Sequence, residues 1–261
     1  MISIPPYVAL FGILLAAIIG ALPPLLWRWS DRQLHLFVAF GAGVFLGTVF
    51  FHLIPETITN ESGLLNKFML LNGFMVALFA ERVLVRHTHH DCDDKAEHRH
   101  QVVGISAFIG LSIHSLMAGF ALGASFSAPN LAFVIFIAII SHKTVAAFSL
   151  ATVFKLSEIP PRHAVIMLAV FTVCTPLGAL ISIPLVHVLR DIHLTVPTAL
   201  AAGTFIYVAT MDLLPEAFHN TQKRLATFIA LSIGILVMLF ITHWGGVIPA
   251  YIYRSWIYLH S

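Results

Sequence analysis

The chain has 261 residues, 59% of them hydrophobic and only 10% charged, with a mean hydropathy of +0.92. These values exclude a soluble globular domain and predict an all-α membrane protein of several spans, with the lipid bilayer as its first partner. A net charge of +2 gives no sign of a nucleic-acid partner.

Eight apolar runs of spanning length follow one another, at about 7–27, 35–54, 68–85, 102–125, 131–154, 165–188, 196–217 and 226–243. They read as one transmembrane domain over 1–261. The first run lacks a basic leader and is followed by further spans, so it reads as a retained helix rather than a signal peptide. Pro23, Pro24, Pro176 and Pro184 lie inside runs and predict kinks or broken turns. The aromatic tail, 244–261, predicts an interfacial segment. Cys92 sits in a polar loop and Cys174 in an apolar run, so no disulfide is expected.

The basic residues set the orientation. Ten (Arg28, Arg32, Arg82, Arg86, Lys95, Arg99, Lys155, Arg162, Lys223 and Arg224) share one side, three (Lys67, Arg190 and Arg254) share the other, and Lys143 lies within a span. The ten-residue side is expected to be cytoplasmic and both termini extracytoplasmic, in a multi-pass protein of the cell membrane. Between the third and fourth spans, at about 86–101, a loop carries His87, His89, His90, Cys92, His98 and His100 among four acids. Such a tract binds divalent metals weakly, or is a solvated charged linker without packing pattern.

The fourth and fifth spans repeat each other. His114-Ser-Leu-Met-Ala-Gly-Phe-Ala-Leu and His142-Lys-Thr-Val-Ala-Ala-Phe-Ser-Leu share H-x-x-x-A-x-F-x-L. The short connection at 126–130 makes these helices antiparallel neighbours. Each histidine then lies roughly 16–18 Å from the turn, near the midplane of a ~30 Å hydrocarbon core. Ionisable groups at that depth mark a substrate or ion path more often than they serve as polar glue.

A second repeat has an offset of 160: AGVFLGTVFFHLIPE (42–56) matches AGTFIYVATMDLLPE (202–216). The two segments run in opposite directions, which predicts inverted repeats of helices 1–3 and 6–8 around a central 4/5 pair. The repeat sets His52 and Glu56 at the outer end and Asp212, Glu216 and His219 at the inner end.

Neutral imidazole is a good ligand for Zn²⁺ and its first-row neighbours. Two histidines leave zinc's usual four positions unfilled, so water, Ser115, Met117, Cys174 or a backbone carbonyl must complete the shell. In a conducting site loose coordination is acceptable, because an ion held too tightly cannot leave. The acids and histidines at the two ends are then metal entrance and metal exit.

The motifs AGTFIYVATMDLLPE, FHLIPE (51–56), TPLGALI (175–181), SIHSLMAGFALG (112–123) and SHKTVAAFSL (141–150) resemble those of the ZIP family of divalent metal transporters. The resemblance covers nearly the whole chain. It implies eight helices, extracellular termini, a His-rich loop after helix three and a transport site between helices four and five. By position, His114 and His142 would be metal ligands. Many members hold a second metal at the positions of Ser115, Lys143 and Thr175, where a lysine ammonium here implies a single-metal site. Ala118 stands where the family usually has a carboxylate, and Ala146, its counterpart in the fifth helix, offers no ligand either. This leaves a weaker site, a softer ion held through Met117 or Cys174, or lost transport as open alternatives.

The expectation is therefore transport of Zn²⁺, with Fe²⁺, Mn²⁺ or Cd²⁺ as further cargo, without a prosthetic group, by a monomer or homodimer. The competing readings are an intramembrane zinc hydrolase, drawing His52 and Asp212 to the histidines, and a transport-impaired family member acting as a metal sensor.

Overall fold

The structure, a computed structural model, describes residues 4–58, 63–85, 97–127, 129–188, 195–219 and 224–260. Within these, eight helices are long and apolar enough to cross a membrane. In chain order they are α1 (Pro6–Leu26), α2 (31–58), α3 (63–85), α4 (Glu97–Ser125), α5 (Pro129–Leu156), α6 (Pro161–Val188), α7 (195–218) and α8 (Arg224–His260).

Local chemistry sets most of the ends. Pro6, Pro129 and Pro161 each open a helix, where the missing N–H has no helical partner to lose. Ser30 and Gln33 form a reciprocal capping box at the start of α2, with Ser30 N–H donating to Gln33 Oε1 at 2.9 Å. After α5 the chain turns through Glu158 in the left-handed region, φ 51°, and Ile159 N–H closes on the Phe154 carbonyl at 3.0 Å. Lys155 caps the end of α1 by donating to the carbonyls of Pro24 and Trp27, both at 2.6 Å.

Two boundaries differ from the sequence reading. The helical backbone of α4 begins at Glu97, inside the stretch read as a His-rich loop, and α8 continues through the aromatic tail to His260. Polarity rises there before the helix stops, and a helix ladder does not depend on polarity. His87, His89, His90 and Cys92 lie outside the described residues, as do the side chains of His98 and His100.

In α2 and α7 the α-helix widens to a π turn immediately before a proline. Ile54 N–H bonds the Val49 carbonyl ahead of Pro55, and Leu214 N–H bonds the Ala209 carbonyl ahead of Pro215. Proline cannot donate and crowds the preceding turn, so the extra residue relieves the ladder there. The two turns fall at matching positions of the 160-residue repeat.

The helices pack most extensively as α1 with α5, α2 with α8, α3 with α7 and α4 with α6, followed by α4 with α7, α2 with α5 and α4 with α5. Gly43 meets Gly234 where α2 crosses α8, and Gly203 meets Gly73 where α7 crosses α3; a Cβ on Gly43 or Gly203 would run into a backbone carbonyl of the partner helix. Small residues allow this close approach, the main source of helix association in lipid. The interior holds Phe45, Phe154, Phe171, Phe205 and Tyr207, all fully buried. Large apolar side chains on α1, α3, α6 and α8, such as Phe11, Phe68, Leu180 and Phe240, face outward, as a lipid-facing surface requires.

Candidate functional site

α4 and α5 bring His114 and His142 together, both 3% exposed, with ring centroids 5.6 Å apart and planes at 60°. α7 fixes the first ring. Its Ala201 carbonyl lies 3.2 Å from His114 Nδ1, and Phe205, one turn on, stacks on the imidazole at 3.4 Å between centroids. A carbonyl only accepts, so Nδ1 carries the proton and Nε2 keeps a lone pair for a ligand. His142 is held differently. Phe205 meets it edge-on at 5.6 Å, and its Nδ1 is buried without a hydrogen-bond partner. The Ala138 carbonyl, one turn back on α5, approaches this ring without reaching hydrogen-bond geometry.

Both imidazoles face a cavity of about 40 Å³, also lined by His52, Ala118, Ile139 and Thr198. That space suits a cation with a water or two. It lies on the side of the histidines nearer the α4–α5 turn. Towards the other side stand Phe205 and Phe45, stacked at 4.8 Å and 26°.

Lys143, next to His142, points elsewhere. Its Nζ donates to Ser115 Oγ at 2.9 Å, Thr175 Oγ1 at 3.0 Å and the Phe171 carbonyl at 3.3 Å, and lies 3.7 Å over the Phe171 ring. All three ammonium donors are thereby used and the ring adds a cation–π contact. The second-site positions Ser115, Lys143 and Thr175 are thus brought together, around the lysine.

Ser115 and Met117, expected to ligand metal beside the histidines, do not line the cavity. Successive residues turn by about 100° around a helix, so only His114, Ala118 and Ala121 share that face of α4. Among the described residues no three His, Cys, Asp or Glu side chains form a metal-holding group. Cys174 is a half-buried free thiol that also lies off the cavity wall.

Of the expected entrance pair, His52 lines the cavity itself, nearer the imidazoles than its place at the outer end suggested; the side chain of Glu56 is outside the described set. Asp212 is 2% exposed and accepts from Ser106 Oγ at 3.1 Å on each carboxylate oxygen. Ser106 precedes His114 by eight residues, roughly 12 Å along α4, and lies on the side away from the α4–α5 turn, so Asp212 is far from the cavity and does not join His52. Glu216 is buried and His219 half-buried farther along the same segment.

Glu81 was missed in the sequence. Its buried carboxylate accepts from Tyr207 and lies 3.7 Å from Arg82 Nε. Its signal was an acid inside an apolar run, next to an arginine counted only as a loop charge. Phe45 and Phe205 carried no chemical signal, only their matched places in the repeat.

A model of the ZIP Zinc transporter family matches residues 3–100 and 85–242. The chain is 26% identical over 286 residues to "Zinc transporter ZIP1" of Danio rerio, covering 88% of this chain and 94% of that protein. It is 26% identical over 250 residues to "Zinc transporter ZIP9-B" of Xenopus laevis, with 78% and 82% covered. It is also 27% identical over 283 residues to "Zinc transporter 3" of Arabidopsis thaliana, with 89% and 82% covered. A multi-pass helical protein with this match is a transporter and not an enzyme, which sets aside the hydrolase reading. With its eight spans and its histidine-faced cavity, the chain belongs to the ZIP family of zinc transporters.

Proposed function

We propose that this protein moves divalent cations, Zn²⁺ foremost and Fe²⁺, Mn²⁺ or Cd²⁺ as further cargo, into the cytoplasm through a single-cation site at His114 and His142. The observation that carries this is the small cavity faced by both imidazoles at one depth of two antiparallel helices. Lys143 supports the single-cation reading, because an ammonium with three acceptors fills the space between Ser115 and Thr175. In this reading His52 and Glu56 lead the ion in from the extracytoplasmic side. Asp212, Glu216 and His219 lead it out towards the His-rich loop.

Inverted repeats support alternating access about this site. Exchanging α1 with α6, α2 with α7, α3 with α8 and α4 with α5 maps the packing pairs onto one another. Burial follows the same exchange at three of the four pairs: 39% for α1 and α6, 67% for α2 and α7, and 22% for α3 and α8. Zinc uptake into proteoliposomes tests the proposal. Loss of uptake in a His114→Ala/His142→Ala double variant is expected, and unchanged uptake refutes it.

One observation favours a second reading, a transport-impaired member that senses metal: Ala118 stands on the cavity wall, where a carboxylate would offset a dication's charge. Zinc binding without uptake by the natural protein, with uptake appearing in Ala118→Glu, would select it.

A further inference from the structure

Ala201 and Phe205 together hold His114, one through its carbonyl and the other through its ring. At the 160-residue offset their counterparts on α2 are Gly41 and Phe45, and at the 28-residue offset the counterpart of His114 is His142. His142 lacks the matching grip, since its Nδ1 is buried and unpartnered. Gly41 instead abuts Ser149, so closely that a Cβ would run into the serine hydroxyl, and Ser149 Oγ is also buried and unpartnered. Thus α4 and α7 meet with His114 at Ala201, while α5 and α2 meet seven residues away from the equivalent register.

We infer that His142 and α2 form the second half of an alternating clamp. In the conformation open to the other membrane face, His142 Nδ1 donates to the Gly41 carbonyl and its ring stacks on Phe45, while His114 leaves Ala201 and Phe205. Bringing His142 to Gly41 takes two helical turns of displacement along α2, roughly 10 Å. The stacked Phe45–Phe205 pair stays behind as a fixed post, presenting one ring to one histidine in each conformation. One imidazole N–H then goes unmet in either state, so this bond favours neither side, as suits a carrier that must return. The positioning residues are therefore Phe205 for the present conformation and Phe45 for the opposite one.

This inference rests on the two-imidazole carrier proposed above. Its test measures the KM for Zn²⁺ on each face, in right-side-out and inside-out membrane vesicles. Phe→Leu variants keep most of the apolar volume and so the fold. Phe205→Leu is expected to raise KM about fivefold on the cavity face and to leave the other face within about twofold, for loss of one ring contact. Phe45→Leu is expected to do the reverse. If wild type carries Zn²⁺ but either variant shifts both faces alike, or neither face, the clamp is overturned and the carrier reading stands. If wild type carries no Zn²⁺ on either face, both fall.

Discussion

His142 and Lys143 are consecutive on α5 and equally buried, yet they enter opposite kinds of surroundings. The lysine has every donor met, by Ser115, Thr175 and Phe171. The histidine faces a cavity with an unpartnered nitrogen. One step of about 100° around the helix separates a finished polar cage from an unfinished one. Unmet polar groups are costly inside a protein, so a site that keeps them is poised for something that comes and goes.

The comparison breaks most sharply at the unfinished side. His114→Ala or His142→Ala removes one of two imidazoles facing the cavity, and zinc uptake is expected to fall by about a hundredfold or more, roughly 2.7 kcal/mol of lost stabilisation along the path. Uptake within a few-fold of wild type would show that the cavity is a packing defect. Ala118→Glu adds a carboxylate to the same wall, one turn from His114. Zinc binding measured by titration calorimetry in detergent should tighten about tenfold through the added charged ligand, and no change would mean that Ala118 does not face the ion.

The finished side should answer in stability first. Lys143→Met leaves the Ser115 and Thr175 hydroxyls without their shared donor, and the thermal midpoint in detergent is expected to drop by an amount equivalent to about 1–3 kcal/mol. Removing the ammonium also removes repulsion, so zinc affinity should rise by about threefold to tenfold. A stable variant with unchanged affinity would separate cage from site altogether. Smallest is Tyr207→Phe, which takes one donor from Glu81, away from the cavity. Its expected cost is about 1 kcal/mol in the same melting measurement, with KM on the cavity side unmoved.

Much of this layout was legible beforehand because lipid enforces simple rules. Apolar length marked the eight spans, and the matched repeat marked two histidines that the fold brings together. What the residues could not convey was facing. Ser115 and Met117 are good ligands by type, and only helical phase, fixed by packing, turns them from the cavity. His52 was assigned by depth along its own helix, whereas the π turn at Val49–Leu53 locally alters how depth and facing relate. Glu81 escaped notice because a single acid near a span end looks like a loop charge until Tyr207 is seen to cover it.

Lys155, finally, ties the end of α1 to α5 through two carbonyls, and midway along the same pair Gly20 presses against the Thr144 backbone. These two fastenings join a lipid-facing rod to the one that carries His142. In the proposed clamp, a stroke of the histidine helix must then drag a greasy flank through the surrounding acyl chains. Membrane viscosity then becomes a brake on turnover, one that acts without touching the ion at all.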